Sequence, residues 1–321
     1  MKVLRFLLYA AIAIIGIVAL IFIGVRLQQE TQVLNEAVRH EGPGQFIQLS
    51  NGLTHYRVQG NKDGELVILI HGGGITGMEV WSANAHYLAE QGYLVLTYDL
   101  YGRGYSDRTT GEYTPELLLN QLNELTTALS LSDSMSIISM SMGSMVALDF
   151  ATQHPDKVKS LVMIDPAITG DYKPNPLLKY PVVSDLLMTL YWYPRTVENQ
   201  RKEFVDPAVF APYSKRLEYF MNIEGYKHMN YSTWMNTLNQ DKSDLLANLN
   251  TSSVLLLYGD KDPYFSASQA TKLKTLRPTI EITSVTDAGH MPHFEKSTIV
   301  NPLLVEFLNR TNSRLTTEKQ E

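Results

Sequence analysis

Four short constellations hold the residues of this chain best suited to chemistry, and each follows an apolar run. In Ile137-Ile138-Ser139-Met140-Ser141-Met142-Gly143, a serine has a small residue two positions away on either side. A nucleophile on a tight strand-to-helix turn needs such neighbours, because larger side chains would clash across the turn. The turn also sets Ser141 at the positive end of the following helix, where developing negative charge is favoured. Directly after Leu66–Ile70 comes His71-Gly72-Gly73-Gly74. Glycines there let a backbone amide approach a substrate oxygen closely, as an oxyanion hole requires, and a plain glycine turn is the other reading. A phosphate loop is not, since no Gly-Lys-Ser/Thr follows. The third, Asp287-Ala288-Gly289-His290, follows Ile280–Val285, with Glu295 five residues on and His293 as a competing base. Tyr258-Gly259-Asp260-Lys261-Asp262-Pro263 supplies a carboxylate that could orient an imidazole. Together these residue types suit nucleophilic acyl transfer.

The elements that must position them can be read from the apolar pattern. Phe46–Leu49 and Leu53–Val58 alternate apolar and polar residues around Ser50-Asn51-Gly52, a hairpin signal. Short continuous apolar runs then follow at Leu66–Ile70, Tyr93–Tyr98, Met135–Ile138, Val158–Ile164, Val254–Tyr258 and Ile280–Val285. Such runs suit strands of a parallel sheet buried on both faces. Helical segments are expected at Ala83–Gln91, Pro115–Leu131, Gly143–His154, Ser266–Leu276 and Ser297–Leu308. A hairpin followed by strand–helix alternation is an α/β fold with a mostly parallel sheet. The alternation stops at 166–250, a helical insertion holding thirteen of the chain's thirty-one aromatic residues, placed to roof the carboxyl edge of the sheet. Residues 43–165 and 251–310 form the core, and 311–321 read as a frayed tail.

Before the core, Phe6–Val25 runs for twenty residues without a charge. At 1.5 Å per residue a helix of that length spans roughly 30 Å, the hydrocarbon thickness of a bilayer. The run is longer than a signal-peptide core and ends Ile23-Gly24-Val25-Arg26, without a small-x-small cleavage site. It reads as an uncleaved anchor (residues 1–25), with Lys2 and Arg5 favouring an inside N-terminus and a body on the extracytoplasmic side. Residues 26–42 read as a linker ending at the helix-breaking Gly42-Pro43-Gly44.

Composition narrows the partners. The chain of 321 residues carries a formal charge of -6 and no cysteine. Disulfides, thiolate nucleophiles and cysteine-based metal sites are thereby excluded. Beyond residue 40 there are 23 basic and 31 acidic residues, no footprint for a nucleic-acid backbone. With neither a metal-ligand cluster nor a dinucleotide fingerprint, no cofactor is expected.

Taken together, the motifs resemble the α/β-hydrolase fold superfamily over about residues 43–310. Asp99-Leu100-Tyr101-Gly102-Arg103-Gly104-Tyr105-Ser106-Asp107 is similar to the family's D-x-x-G-x-G-x-S-D loop, and the order Ser, Asp, His is the family's own. The resemblance implies Ser141 as nucleophile, His290 as base and Asp262 as acid, with Asp260 and Asp165 as alternative acids. It implies the backbone N–H groups of Met142 and Gly73, or Gly74, as oxyanion donors. Ser139 stands where the family usually has glycine. The Ser-Met-Gly elbow and the Asp99–Asp107 loop resemble the lid-bearing monoacylglycerol-lipase and C–C-hydrolase branch. The implied activity is that of a membrane-anchored serine hydrolase acting on a small-molecule ester with an apolar acyl part. C–C or amide hydrolysis and a non-catalytic ligand-binding member are the alternatives. Epoxide hydrolases and dehalogenases of this fold carry a carboxylate at the elbow, where this chain has Ser141.

Overall fold

The computed structural model describes residues 1–131, 134–251 and 253–318. One eight-stranded sheet organises the chain, in the order β1-β2-β4-β3-β5-β6-β7-β8. The hairpin strands β1 (Gln45–Leu49) and β2 (Gly52–Gly60) are antiparallel, and β2 pairs antiparallel with β4. The remaining neighbours run parallel: β3 (Leu66–Ile70), β4 (Leu94–Tyr98), β5 (Met135–Met140), β6 (Val158–Ile164), β7 (Ser253–Gly259) and β8 (Glu281–Val285). All of β3 and β5 is buried, as the unbroken apolar run of β3 and the mostly apolar one of β5 require. The mixed, mostly parallel sheet is thus the one the apolar pattern indicates.

Helices precede and interleave these strands: α1 (Lys2–Arg26), α2 (Glu36–Arg39), α3 (Ser82–Glu90), α4 (Pro115–Ala128) and α5 (Gly143–Gln153). The insertion adds α6 (Pro181–Leu187), α7 (Tyr193–Arg201), α8 (Pro207–Met221), α9 (Tyr226–Asn236) and α10 (Ser243–Ala247). The chain closes with α11 (Ala267–Leu276), α12 (Pro292–Glu295) and α13 (Ser297–Glu318). Helix α4 shows the local logic: the Thr114 side chain caps the Leu117 N–H, Pro115 starts the first turn, and Leu118, Leu119, Leu122 and Leu125 face inward. It ends three residues before the expected Leu131, where Ser130 takes a positive φ of 49°. Helices α3 and α13 pack together, as do α4 and α5.

Two stretches differ from the sequence reading. The last helix does not stop at Leu308 but continues to Glu318, so most of 311–321 extends a helix rather than a frayed tail. No glycine or proline follows Pro302 to break it. Residues 26–42, read as a linker, are docked. The Gln32 N–H donates to the Asn222 carbonyl at 3.0 Å, the Glu224 N–H donates to the Gln32 carbonyl at 2.8 Å, and Val38 is buried. Helix α1 is the one candidate membrane span among the described residues, with mean hydropathy 3.0 and none of that window buried.

Candidate active site

Strand β5 delivers Ser141 to the carboxyl edge of the sheet, and α5 leaves two residues later. The turn is strained: Ser141 has φ +51°, while its N–H donates to the Ile164 carbonyl at 2.8 Å. Gly143 is needed there, because a Cβ would lie 2.5 Å from the His71 carbonyl oxygen and 2.6 Å from that of Ile70. Ser139, which replaces the usual glycine, is accommodated by its hydroxyl. It donates to the Val162 carbonyl at 3.1 Å and lies 3.1 Å from the Ser144 hydroxyl. The departure therefore costs no unsatisfied polar group.

His290 follows β8 and meets Ser141: the two side chains are 3.0 Å apart, hydroxyl to Nε2. On the other side of the ring, Nδ1 lies 2.8 Å from Asp262 Oδ2. A carboxylate can only accept, so Nδ1 carries the proton and Nε2 is free to receive one from the serine. Burial pulls the imidazole's proton affinity down, but Asp262, and behind it Glu203, more than offset that and hold it above its ordinary value. Burial likewise pushes Asp262 up, and the facing imidazole outweighs this, leaving Asp262 below the usual carboxylate range.

The competing residues occupy other roles. Both ring nitrogens of His293 are buried without a hydrogen-bond partner, and its ring packs on Trp81 at 4.1 Å. Burial, then the nearby His290, lowers its pKa to about 3, so it is neutral. Asp260 is exposed. Asp165, at the end of β6, comes close to the pair: its carboxylate, that of Asp262 and His290 all lie within 4.8 Å of one another. Burial and then the Asp262 charge push Asp165 well above its ordinary value, so it holds its proton more tightly than an ordinary carboxyl. Three of the candidates converge and Asp165 stands behind them.

The glycine segment after β3 sits beside the elbow. His71 is locked as a neutral tautomer: the Leu100 N–H donates to Nε2 at 2.9 Å, and Nδ1–H donates to the Gly72 carbonyl at 2.8 Å. Burial is the main cause that lowers its pKa to about 4. A Cβ on Gly73 would meet only the Met142 sulfur, at 4.0 Å, so this backbone borders open space. Neither the Gly73 nor the Met142 N–H bonds to a protein group among the described residues. Met142 is fully buried, and an unpaired donor in such a place is costly unless a ligand oxygen takes it. On Gly74 a Cβ would approach the Tyr213 hydroxyl at 3.4 Å.

A cavity of about 800 Å³ opens over Ser141 and His290. The insertion roofs it with Trp192, Trp234, Tyr213, Tyr226, Leu217 and Leu238. Several contacts that the sequence does not announce hold roof and floor together. Arg103 is fully buried, donates to the Gly73 carbonyl at 3.3 Å and reaches the Thr233 hydroxyl on α9 at 2.8 Å. Glu203, two residues past α7, takes the His290 backbone N–H on its backbone carbonyl at 2.8 Å, and burial raises its carboxyl. Glu295 accepts the Gly289 N–H at 2.9 Å and also the Asp206 N–H. Arg103 lies within the Asp99–Asp107 motif and so carried a signal; Glu203 carried none.

Fold and site define a class, and the comparisons agree. Residues 65–297 match the family model of the alpha/beta hydrolase fold. The chain belongs to that family. It is 23% identical over 305 residues to a 2-hydroxy-6-oxononadienedioate/2-hydroxy-6-oxononatrienedioate hydrolase of Cupriavidus pinatubonensis, covering 88% of this chain and 99% of the relative. It is 26% identical over 259 residues to Lipase 1 of Psychrobacter immobilis, covering 75% of each. Among solved structures, a thermophilic esterase from Thermogutta terrifontis superposes with a TM-score of 0.70 at 21% identity, over 84% of this chain and 99% of that one. The relatives thus include lipases, esterases and C–C hydrolases.

Proposed function

We propose that this chain is a membrane-anchored serine hydrolase that cleaves a carboxylic ester with an apolar acyl part, working outside the cytoplasm. The observation that carries the reading is the continuous relay Ser141–His290–Asp262, at 3.0 and 2.8 Å, beside two unpaired backbone donors. Ser141 attacks the ester carbonyl while His290 takes its proton, and Asp262 stabilises the imidazolium. The Met142 and Gly73 N–H groups receive the tetrahedral oxyanion, each donor being worth about 3 kcal/mol. His290 returns the proton to the leaving alcohol, and water repeats the sequence on the acyl-enzyme. No step calls for a cofactor. The aromatic roof favours apolar groups, each buried methylene contributing about 0.8 kcal/mol.

An ester panel tests this. kcat/KM is expected to rise with acyl length over several carbons and then fall, and a fluorophosphonate probe is expected to label Ser141. Equal turnover of acetate and longer esters would remove the apolar-pocket part of the reading. C–C bond hydrolysis is the second reading, favoured by the Cupriavidus relative over nearly its whole length. Turnover of a vinylogous diketo acid with no ester turnover would select it. The anchor is tested separately: the full chain is expected to resist carbonate extraction, and a mature N-terminus beyond Val25 would show a cleaved signal instead.

A further inference from the structure

The end of α1 is not separated from the body by slack chain. Arg26, its last residue, is ion-paired with Asp185 on α6, and the side-chain amide of Gln29 donates to the Thr189 carbonyl at 3.0 Å. Lys227 on α9 closes the joint. Its buried ammonium donates to Gln29 Oε1 at 3.0 Å and lies 3.2 Å from the Glu30 carboxylate, and its N–H donates to Glu30 at 2.8 Å. The part of the roof that α1 touches is therefore held at the depth where the span ends.

That same part of the roof is unusual in what it leaves exposed. Between Pro176 and Trp192, Leu177 is 51% exposed, Tyr180 63%, Val182 74% and Tyr191 49%. Val182 lies one helical turn from Asp185, and Tyr191 two residues from Thr189, the two places that grip the anchor segment. Exposed cations flank the ridge: Lys179, and Arg195 with its guanidinium 4.2 Å above the Tyr191 ring. Apolar and tyrosine side chains beside basic ones suit the boundary between lipid headgroups and acyl chains. Trp192, at the end of the ridge, and Tyr172 and Lys173, shortly before it, also line the cavity over Ser141.

We propose that Leu177, Tyr180, Val182 and Tyr191 form a second membrane contact, seated in the surface of the bilayer that α1 spans, so that the cavity takes its ester directly from the lipid phase. This rests on the anchored-hydrolase reading and adds to it an interaction surface and the source of the substrate.

Because the chain has no cysteine, single thiols report without background. Val182→Cys and, as control, Lys62→Cys in the turn before β3, at the opposite edge of the sheet, are labelled with an NBD fluorophore. The full chain is then reconstituted into phosphatidylcholine–phosphatidylglycerol vesicles containing headgroup-proximal spin-labelled lipid. NBD at 182 is expected to be quenched several-fold more than at 62. In a second arm, Leu177→Glu with Val182→Glu is expected to lower turnover of a long-chain ester dissolved in vesicles at least tenfold while sparing a water-soluble short ester. Equal quenching at 182 and 62 in protein that floats with the vesicles overturns the inference and leaves the anchor standing. Failure to float overturns the anchor and this inference together. Absence of ester turnover with quenching at 182 overturns the ester reading alone.

Discussion

Among the described residues, two buried histidine–carboxylate pairs stand at nearly equal distance, His55–Asp99 at 2.7 Å and His290–Asp262 at 2.8 Å. Their surroundings differ. The His55 ring stacks on Phe46 at 4.8 Å with Tyr105 against it at 5.3 Å, and its Nε2 is buried with no partner. Asp99 spends its other capacity on the chain, accepting the Met78 N–H at 2.6 Å and the Tyr105 N–H at 2.9 Å. Burial pushes its carboxyl up, but His55, then His71 and the Met78 N–H, outweigh this and hold it below its ordinary value. In the second pair the outer nitrogen meets a serine hydroxyl at the wall of an open cavity. A pair of this kind becomes a proton relay through what its far nitrogen faces; without that it is a brace.

The comparison can be broken in graded ways. Ser141→Ala is expected to lower kcat by a factor on the order of 10⁶ with no loss of thermal stability. Probe labelling and a melting curve check it, and undiminished labelling would remove Ser141 from the reaction. Asp262→Asn is expected to cost on the order of 10⁴ in kcat, by losing the acceptor that sets the tautomer. It should also shift the pH profile. In the parent, kcat/KM falls as pH drops through the His290 pKa, which lies above the ordinary 6.5. Loss of the Asp262 charge moves that limb to lower pH. A larger loss at Asp165→Asn than at Asp262→Asn would transfer the acid role to Asp165.

The brace should answer with stability rather than rate. Asp99→Ala strands buried donors and is expected to cost on the order of 3–5 kcal/mol in unfolding free energy, read by denaturant titration. The fraction still folded should label normally; a variant that melts like the parent yet fails to label would make Asp99 part of the reaction. The smallest effect is expected at Asp165→Asn. The folded chain keeps a proton on Asp165 that the unfolded chain releases above the ordinary 3.8. Stability from this group is full below that pH and is lost as pH rises through the raised pKa. The amide should therefore raise the melting temperature at neutral pH, with no gain near pH 3, and change kcat only a few-fold.

Much of this was legible in the residues. Mostly apolar runs placed β3, β5, β6 and β7 within a residue or two, because a strand buried on both faces carries few polar positions to disguise it. Small residues around Ser141, and a histidine and an aspartate each just past a strand, marked the three side chains that converge. Those signals are local, and local chemistry is what a sequence writes out. The choice of Asp262 over Asp260, and of His290 over His293, was implied by the family resemblance rather than by residue type, and it is the loops that turn those two side chains toward each other and toward Ser141. The docking of residues 26–42 depends on Glu30 and Lys227, 197 residues apart, and nothing in either neighbourhood announces the other. The order of residues along this chain determined its strands, its apolar N-terminal helix and the types of its reactive groups. Which groups meet, and which of two like pairs faces a serine, was decided by the tertiary fold, because a hydrogen bond depends on distances that chain spacing does not encode.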